Sequence, residues 1–213
     1  MPNNTLPLLV ALTGGIGCGK TTVLDQFRSI GIPCFIADQV AGAYYQDPAF
    51  LASIRHLFGN SVFRPDGTAD KAAIARIVFA DTDKLAKLNS LVHPRVWDDF
   101  QRFAASHAAS PYLIFESAII YEAHLDRLVD KVVCVYLSLD ERIARLTVRD
   151  HATAEQIHSR IRRQLPAEEV MQRADHVILN YEGNPRTRQV QHIHNQLLAA
   201  AEKSKIIWGC VDS

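Results

Sequence analysis

Residues 8–22 read LLVALTGGIGCGKTT, an unbroken apolar run from Leu8 to Thr13 that passes directly into a glycine-rich turn. A run without polar alternation suits a β-strand buried on both faces. The turn, Gly14-Gly15-Ile16-Gly17-Cys18-Gly19-Lys20-Thr21, has the spacing G-x-x-x-x-G-K-[ST] and sits between that strand and a helical pattern. Its residue types have separate reasons. Glycines let the backbone take positive φ and aim successive N–H groups inward at phosphate oxygens. The positive end of the following helix adds to that field. Lys20 is expected to reach the terminal phosphates of a nucleoside triphosphate, and the Thr21 hydroxyl to serve as a Mg²⁺ ligand. The expected nucleotide contacts are therefore Gly15, Ile16, Gly17, Cys18, Gly19, Lys20, Thr21 and Thr22. Cys18 has two readings: a small residue that fits, or a thiol acidified by the helix N-terminus and open to oxidation.

Working outward, Lys20 to Ile30 has helical spacing, with Val23, Leu24 and Phe27 on one face and Gly31 to stop it. Pro33 to Ala37 is a second apolar run ending at Asp38. Strand, helix, strand in that order is a βαβ unit and predicts a parallel sheet. Further strands are expected at Tyr112–Phe115, Lys131–Leu137 and His176–Leu179, and helices at Asp140–Asp150 and Thr187–Glu202. Residues 47–109 carry helical repeats, among them Ile74, Ile77 and Val78, and Leu85, Leu88 and Leu91, broken by a turn at Asp66-Gly67. The expected architecture is a P-loop NTPase fold: a three-layer α/β/α domain around five parallel strands. Its core is 6–46, 110–148 and 174–205, with a helical insert at 47–109 and a polar, arginine-rich lid at 149–173. The tail, IIWGCVDS, reads as a short strand or a loose end.

A chain of 213 residues suits one domain with an inserted part. Its 23 basic and 23 acidic residues cancel, which argues against nonspecific nucleic-acid binding. The four cysteines (Cys18, Cys34, Cys134, Cys210) form no CxxC pair, so reduced thiols are expected. The first residues hold no basic n-region, and their apolar run is too short for a signal peptide or membrane span. A cytoplasmic protein without membrane association is the expectation.

The phosphate loop implies nucleotide binding but no particular reaction. An NKxD-type guanine reader is absent, and so is the run of four apolar residues followed by Asp-Glu that motor ATPases carry. Instead, acidic residues follow two strands: Asp38 after PCFIA and Glu116 after YLIF. Ligands of parallel α/β sheets bind beyond the carboxyl ends of the strands, so both can face a transferred phosphate. Asp38 is the candidate general base for an attacking hydroxyl, and Glu116 a holder of water in the Mg²⁺ shell. Arg142, Arg145 and Arg149 share a helix face, with Arg160, Arg162 and Arg163 beyond. Lid arginines neutralise charge on a phosphoryl group in flight, and Arg149 is the leading candidate. An ATP-dependent small-molecule kinase follows; one alternative is a kinase of the same architecture acting on a nucleoside monophosphate, gluconate or shikimate, and the alternative of another class is an ATP-binding regulator without turnover.

At this point the residues resemble the dephospho-coenzyme A kinases along nearly the whole chain. ALTGGIGCGKTTV is similar to that family's P-loop, and FIADQVA to its Asp-Ala-Asp segment, whose second aspartate aligns with Asp38. LVHPRV, residues 91–96, resembles a Leu-His-Pro signature, which makes His93 a candidate acceptor-binding residue. ESAIIYEA from Glu116, RLTVRD from Arg145 and the stretch 160–183 match further elements, including Gln164, Ala174-Asp175 and Asn180. The resemblance implies transfer of phosphate from ATP, with Mg²⁺, to the ribose 3′-hydroxyl of dephospho-coenzyme A, in a monomer or small homo-oligomer. It implies that the insert grips the acceptor, that Asp38, His93, Glu116 and Arg145 contact it, and that Asn180 lies near the nucleotide. Three positions depart from the pattern: Ile36 for the first aspartate, Glu116-Ser117-Ala118 for Asp-x-Pro, and Tyr181-Glu182 before Gly183.

Overall fold

The structure is a computed structural model that describes residues 7–209, with side chains described as far as Lys203. Leu6, at the start of the expected core, and Cys210 therefore lie outside the described residues. The first strand, β1 (Leu8–Thr13), is followed by α1 (Lys20–Ser29), β2 (Cys34–Ile36) and a short helix α2 (Ala37–Ala43). Then come α3 (Pro48–Phe58), α4 (Lys71–Ala80) and α5 (Thr82–Ser106). The chain returns through β3 (Tyr112–Glu116) and β4 (Lys131–Tyr136), then α6 (Leu139–Asp150), α7 (Ala154–Ile161) and α8 (Ala167–Arg173). It finishes with β5 (His176–Leu179) and α9 (Arg186–Gly209).

Five strands form one sheet in the order β2-β3-β1-β4-β5, all parallel. β1 occupies the centre, with Leu8 to Leu12 opposite Tyr112 to Glu116 of β3 and Val10 to Thr13 opposite Lys131 to Cys134 of β4. Its unalternating apolar sequence now has its reason: Val10, Ala11 and Leu12 are wholly buried, as are Tyr112 to Ile114 beside them. α9 packs on β1, β3 and β5 and against α1, while α8 packs on β4. Val23, Leu24 and Phe27 are the buried face of α1, and the Phe27 ring meets Tyr112 edge-on with centroids 6.5 Å apart. Such a pair adds about 0.5–1.5 kcal/mol beyond the area it buries.

The chain divides into two compact units. One comprises residues 1–35 and 103–213 and holds the sheet; the other is Ile36–Arg102. The second unit has its own core of Phe50, Ile54, Val62, Ile74 and Val78, with Ile77, Leu85, Leu88 and Leu91 packed against it. Its helices begin where the sequence supplies acceptors for orphan N–H groups. Asp47 caps α3 ahead of Pro48, and Asp70 caps α4 by accepting from Ala72 and Ala73. The Asp66-Gly67 turn closes a single antiparallel bridge between Phe63 and Ala69.

Several boundaries differ from the sequence expectations. β2 is three residues long because Ala37 already starts α2, so Asp38 sits in the first turn of a helix. Glu116 is the last residue of β3 and not beyond it. The polar stretch up to Arg173 is not irregular: Thr153 forms a capping box with Gln156 that starts α7, and α8 follows. The last helix continues through Ile206 to Gly209, which corrects the reading of that part of the tail; residues 210–213 lie outside the described residues. Pro94 lies inside α5, so the Leu-His-Pro segment is mid-helix.

Candidate active site

Between β1 and α1 the chain loops through residues 14–19 with positive φ at Gly14, Gly17 and Gly19. Gly14 has φ 143°, and a Cβ there would run into the carbonyl oxygen of Val135 on β4. Gly19, with φ 89°, is the N-cap of α1 and lies against the Asn180 amide, which leaves no room for a side chain either. α1 thus starts without a side-chain cap and with no acidic residue in its first turn. By contrast, α3, α4, α6 and α7 each start on a capping side chain, and α2 and α8, which lack one, carry acidic residues in the first turn. An N-terminus left open in this way presents its N–H groups and dipole to an anion.

Lys20 lies along the loop. Its Nζ donates to the Gly14 carbonyl at 2.9 Å and stands 3.9 Å from Oε1 of the buried Glu116. The Thr21 and Thr22 hydroxyls lie on exposed residues of the first turn of α1. Among the described residues, no group of three or more His, Cys, Asp or Glu side chains gathers as a metal site.

The loop is braced by three side chains from other elements. Arg142 of α6, only 3 % exposed, donates through Nε to the Ile16 carbonyl at 2.9 Å. Gln164, in the turn between α7 and α8, accepts from the Ile16 N–H at 2.8 Å. Asn180, just past β5 and 2 % exposed, donates Nδ2 to the Cys18 carbonyl at 2.6 Å. Arg145 completes the rim: it donates to the Asn180 carbonyl at 3.0 Å, with its guanidinium beside Gly19. Leu146, Ala152 and Ile157 form a small apolar cluster that packs on Ile16, so the lid segment and the loop share a hydrophobic contact.

Arg149 is placed differently. Its guanidinium makes two hydrogen bonds to Asp150, at 2.7 and 3.1 Å, and Asp150 also accepts from Arg160 at 2.8 Å. Asp38 is exposed on α2, and His93 is half-buried on α5, where burial lowers its imidazole pKa below the usual value. Both belong to the Ile36–Arg102 unit.

The acidified-thiol reading of Cys18 does not hold. The side chain is 1 % exposed, and burial pushes its pKa up despite the opposing pull of Lys20 and Arg142. It stays a neutral thiol at physiological pH, held under the loop. Iodoacetamide is expected to label Cys18 in the folded chain at least roughly tenfold more slowly than in the denatured chain. Peptide mapping by mass spectrometry reads this directly, and equal rates would refute the burial argument.

Comparison with known proteins decides the lineage. The sequence model of the family described as dephospho-CoA kinase matches residues 8–185. A dephospho-CoA kinase from Chlorobaculum tepidum is 37% identical over 205 residues, covering 92% of this chain and 98% of that protein. The chain belongs to the dephospho-CoA kinase family. Among solved structures, TT1252 from Thermus thermophilus superposes with a TM-score of 0.82 at 28% identity, over 90% of this chain and 98% of that one. Dephospho-CoA kinase from Campylobacter jejuni, at 18% identity, shares the fold with a TM-score of 0.58 over 91% of this chain and 98% of that one.

In this dephospho-CoA kinase family member the structure gathers Lys20, Glu116, Arg145 and Asn180 around the loop. The brace from Arg142 went unread in the sequence, where that arginine was one of three on a helix face offered for charge neutralisation. The available signal was Leu146 four residues on: an arginine sharing a face with a leucine that faces the core is drawn inward with it. Gln164 was visible only as a match to the family pattern; its contact with Ile16 spans 148 residues.

Proposed function

We propose that this chain transfers the γ-phosphoryl group of ATP to the ribose 3′-hydroxyl of dephospho-coenzyme A, giving ADP and coenzyme A. The observation that carries this reading is the uncapped N-terminus of α1 behind a braced glycine loop, with the Lys20 ammonium lying along it. In a member of this family, that cradle fits the phosphates of ATP. Lys20 moves from the Gly14 carbonyl to the β and γ phosphates, and the loop N–H groups and helix dipole hold the charge left on ADP. The Thr21 hydroxyl would be the protein ligand of a bound Mg²⁺, which would supply further charge neutralisation at the phosphates.

Asp38 accepts the proton of the attacking hydroxyl as the oxygen–phosphorus bond forms and the β–γ bridge breaks. Glu116 holds Lys20 and the water around the cation. Arg145, at the rim beside Gly19, contacts the acceptor, and Asn180 acts on the nucleotide through the Cys18 carbonyl that it holds. The lid, residues 149–173, closes over the site, and Arg149 leaves Asp150 to meet the phosphoryl group in transit. Residues 47–109, including His93, bind the acceptor. We place the enzyme in the cytoplasm; among the described residues no helix is long and apolar enough to cross a membrane.

An ADP-release assay over a panel of dephospho-coenzyme A, shikimate, gluconate and nucleoside monophosphates tests the reading. ADP formed with dephospho-coenzyme A alone is the expected result. ADP with another acceptor and none with dephospho-coenzyme A would overturn the acceptor, and no ADP with any of them would overturn turnover itself.

A further inference from the structure

Gln164 makes two long-range contacts that join three separate segments. Its Oε1 accepts from the Ile16 N–H of the phosphate loop at 2.8 Å, and its Nε2 donates to the Ala118 carbonyl at 3.2 Å. Ala118 lies two residues past Glu116, the acid beside Lys20. The next residue is anchored as well: the Leu165 N–H donates to Oε1 of Glu122 at 2.8 Å. The turn between α7 and α8 is thereby tied at one point to both strand-end segments that flank Lys20.

We propose that Gln164 is a positioning residue for nucleotide binding, a tether that sets the phosphate loop in its receptive shape and couples it to the lid. Both ends of the amide are needed. An N–H donor and a carbonyl acceptor lie on either side of it, and a primary amide is the neutral side chain that offers one acceptor and one donor from a single planar group. The bond withdraws the Ile16 N–H from the set available to phosphate and fixes the Ile16 peptide plane. Arg142 fixes the same residue's carbonyl, and the α6–α7 apolar cluster holds its side chain. The first half of the loop is thus shaped by the lid, and the second half, from Cys18, is held by Asn180 and left to the nucleotide.

The inference rests on the kinase reading above, and its test separates the two. Gln164→Met keeps the side-chain length and removes both hydrogen bonds. It is expected to raise KM for ATP about tenfold, the scale for a buried donor left without its partner. KM for the acceptor is expected to stay within about twofold. A merely architectural role would lower the melting temperature and the active fraction, and so kcat, without moving KM for ATP. A KM for ATP within about twofold of wild type overturns the tether. Should the variant fail to fold, amide exchange at Ile16 in the unmutated, nucleotide-free protein decides: protection supports the tether, and exchange at the rate of an unstructured amide overturns it. A wild-type chain that turns over no acceptor would instead defeat the kinase reading and leave the exchange result standing.

Discussion

Lys20→Ala is expected to lower kcat by at least roughly a hundredfold, the usual scale for removing a charge that stabilises a transition state. The ammonium is placed for that work by its surroundings. It hydrogen-bonds the Gly14 carbonyl and sits 3.9 Å from the Glu116 carboxylate, which is 8 % exposed. A buried carboxylate close to an ammonium gains from it electrostatically, so the truncation also leaves Glu116 with one fewer compensating charge. Loss of phosphate affinity and a rise in KM for ATP should therefore accompany the loss of kcat. Lys20→Met, which keeps the length and removes the charge, should be as impaired. Steady-state kinetics on the two variants, with melting curves to show that they are folded, checks this. Activity within about threefold of wild type in Lys20→Met would remove Lys20 from the chemistry.

Asp38→Asn is expected to lower kcat by a similar factor, at least roughly a hundredfold, while KM for ATP stays near its wild-type value. Asp38 belongs to the Ile36–Arg102 unit, whereas the loop, Lys20 and Glu116 belong to the other, so the two variants should separate in their effects. Asparagine keeps the size and a hydrogen-bond acceptor but cannot take the proton of the attacking hydroxyl. Near-normal turnover of Asp38→Asn at neutral pH would move the base to another group, and Glu116 would be the first to test. The Glu116→Gln variant discriminates further: an acid that only steadies Lys20 should affect KM for ATP more than kcat.

How much was legible depended on how local each feature is. The cradle was read from consecutive residues, because positive φ, the missing side-chain cap and the lysine are all properties of one eight-residue segment. The central strands were equally plain: a strand covered on both faces must be apolar throughout, and Leu8–Thr13 and Tyr112–Glu116 are. The helices of the second unit followed from the repeats at Ile74, Ile77 and Val78 and at Leu85, Leu88 and Leu91, which lie in or against its core. Periodicity puts Arg142, Arg145 and Arg149 on one helix face and does not separate them. Their surroundings differ completely: one is buried under the loop, one lies at its rim, and one is paired with Asp150. Of the two readings of Cys18, the structure favours the small residue that fits. A helix N-terminus promises an acidic thiol, but burial, which periodicity cannot measure, outweighs it.

Chain order and residue type were enough for a parallel α/β sheet, a glycine-rich loop at the end of its first strand and helices between its second and third strands, since each rests on short-range geometry or on a repeating pattern. The packing of distant segments decided what braces the loop. Ile16 meets Gln164 across 148 residues and Arg142 across 126, and Cys18 meets Asn180 across 162. No spacing along the chain encodes those pairs. They exist because β1, β4 and β5 lie side by side, so that the segments leaving their carboxyl ends converge on one loop whose buried polar groups must each find a partner.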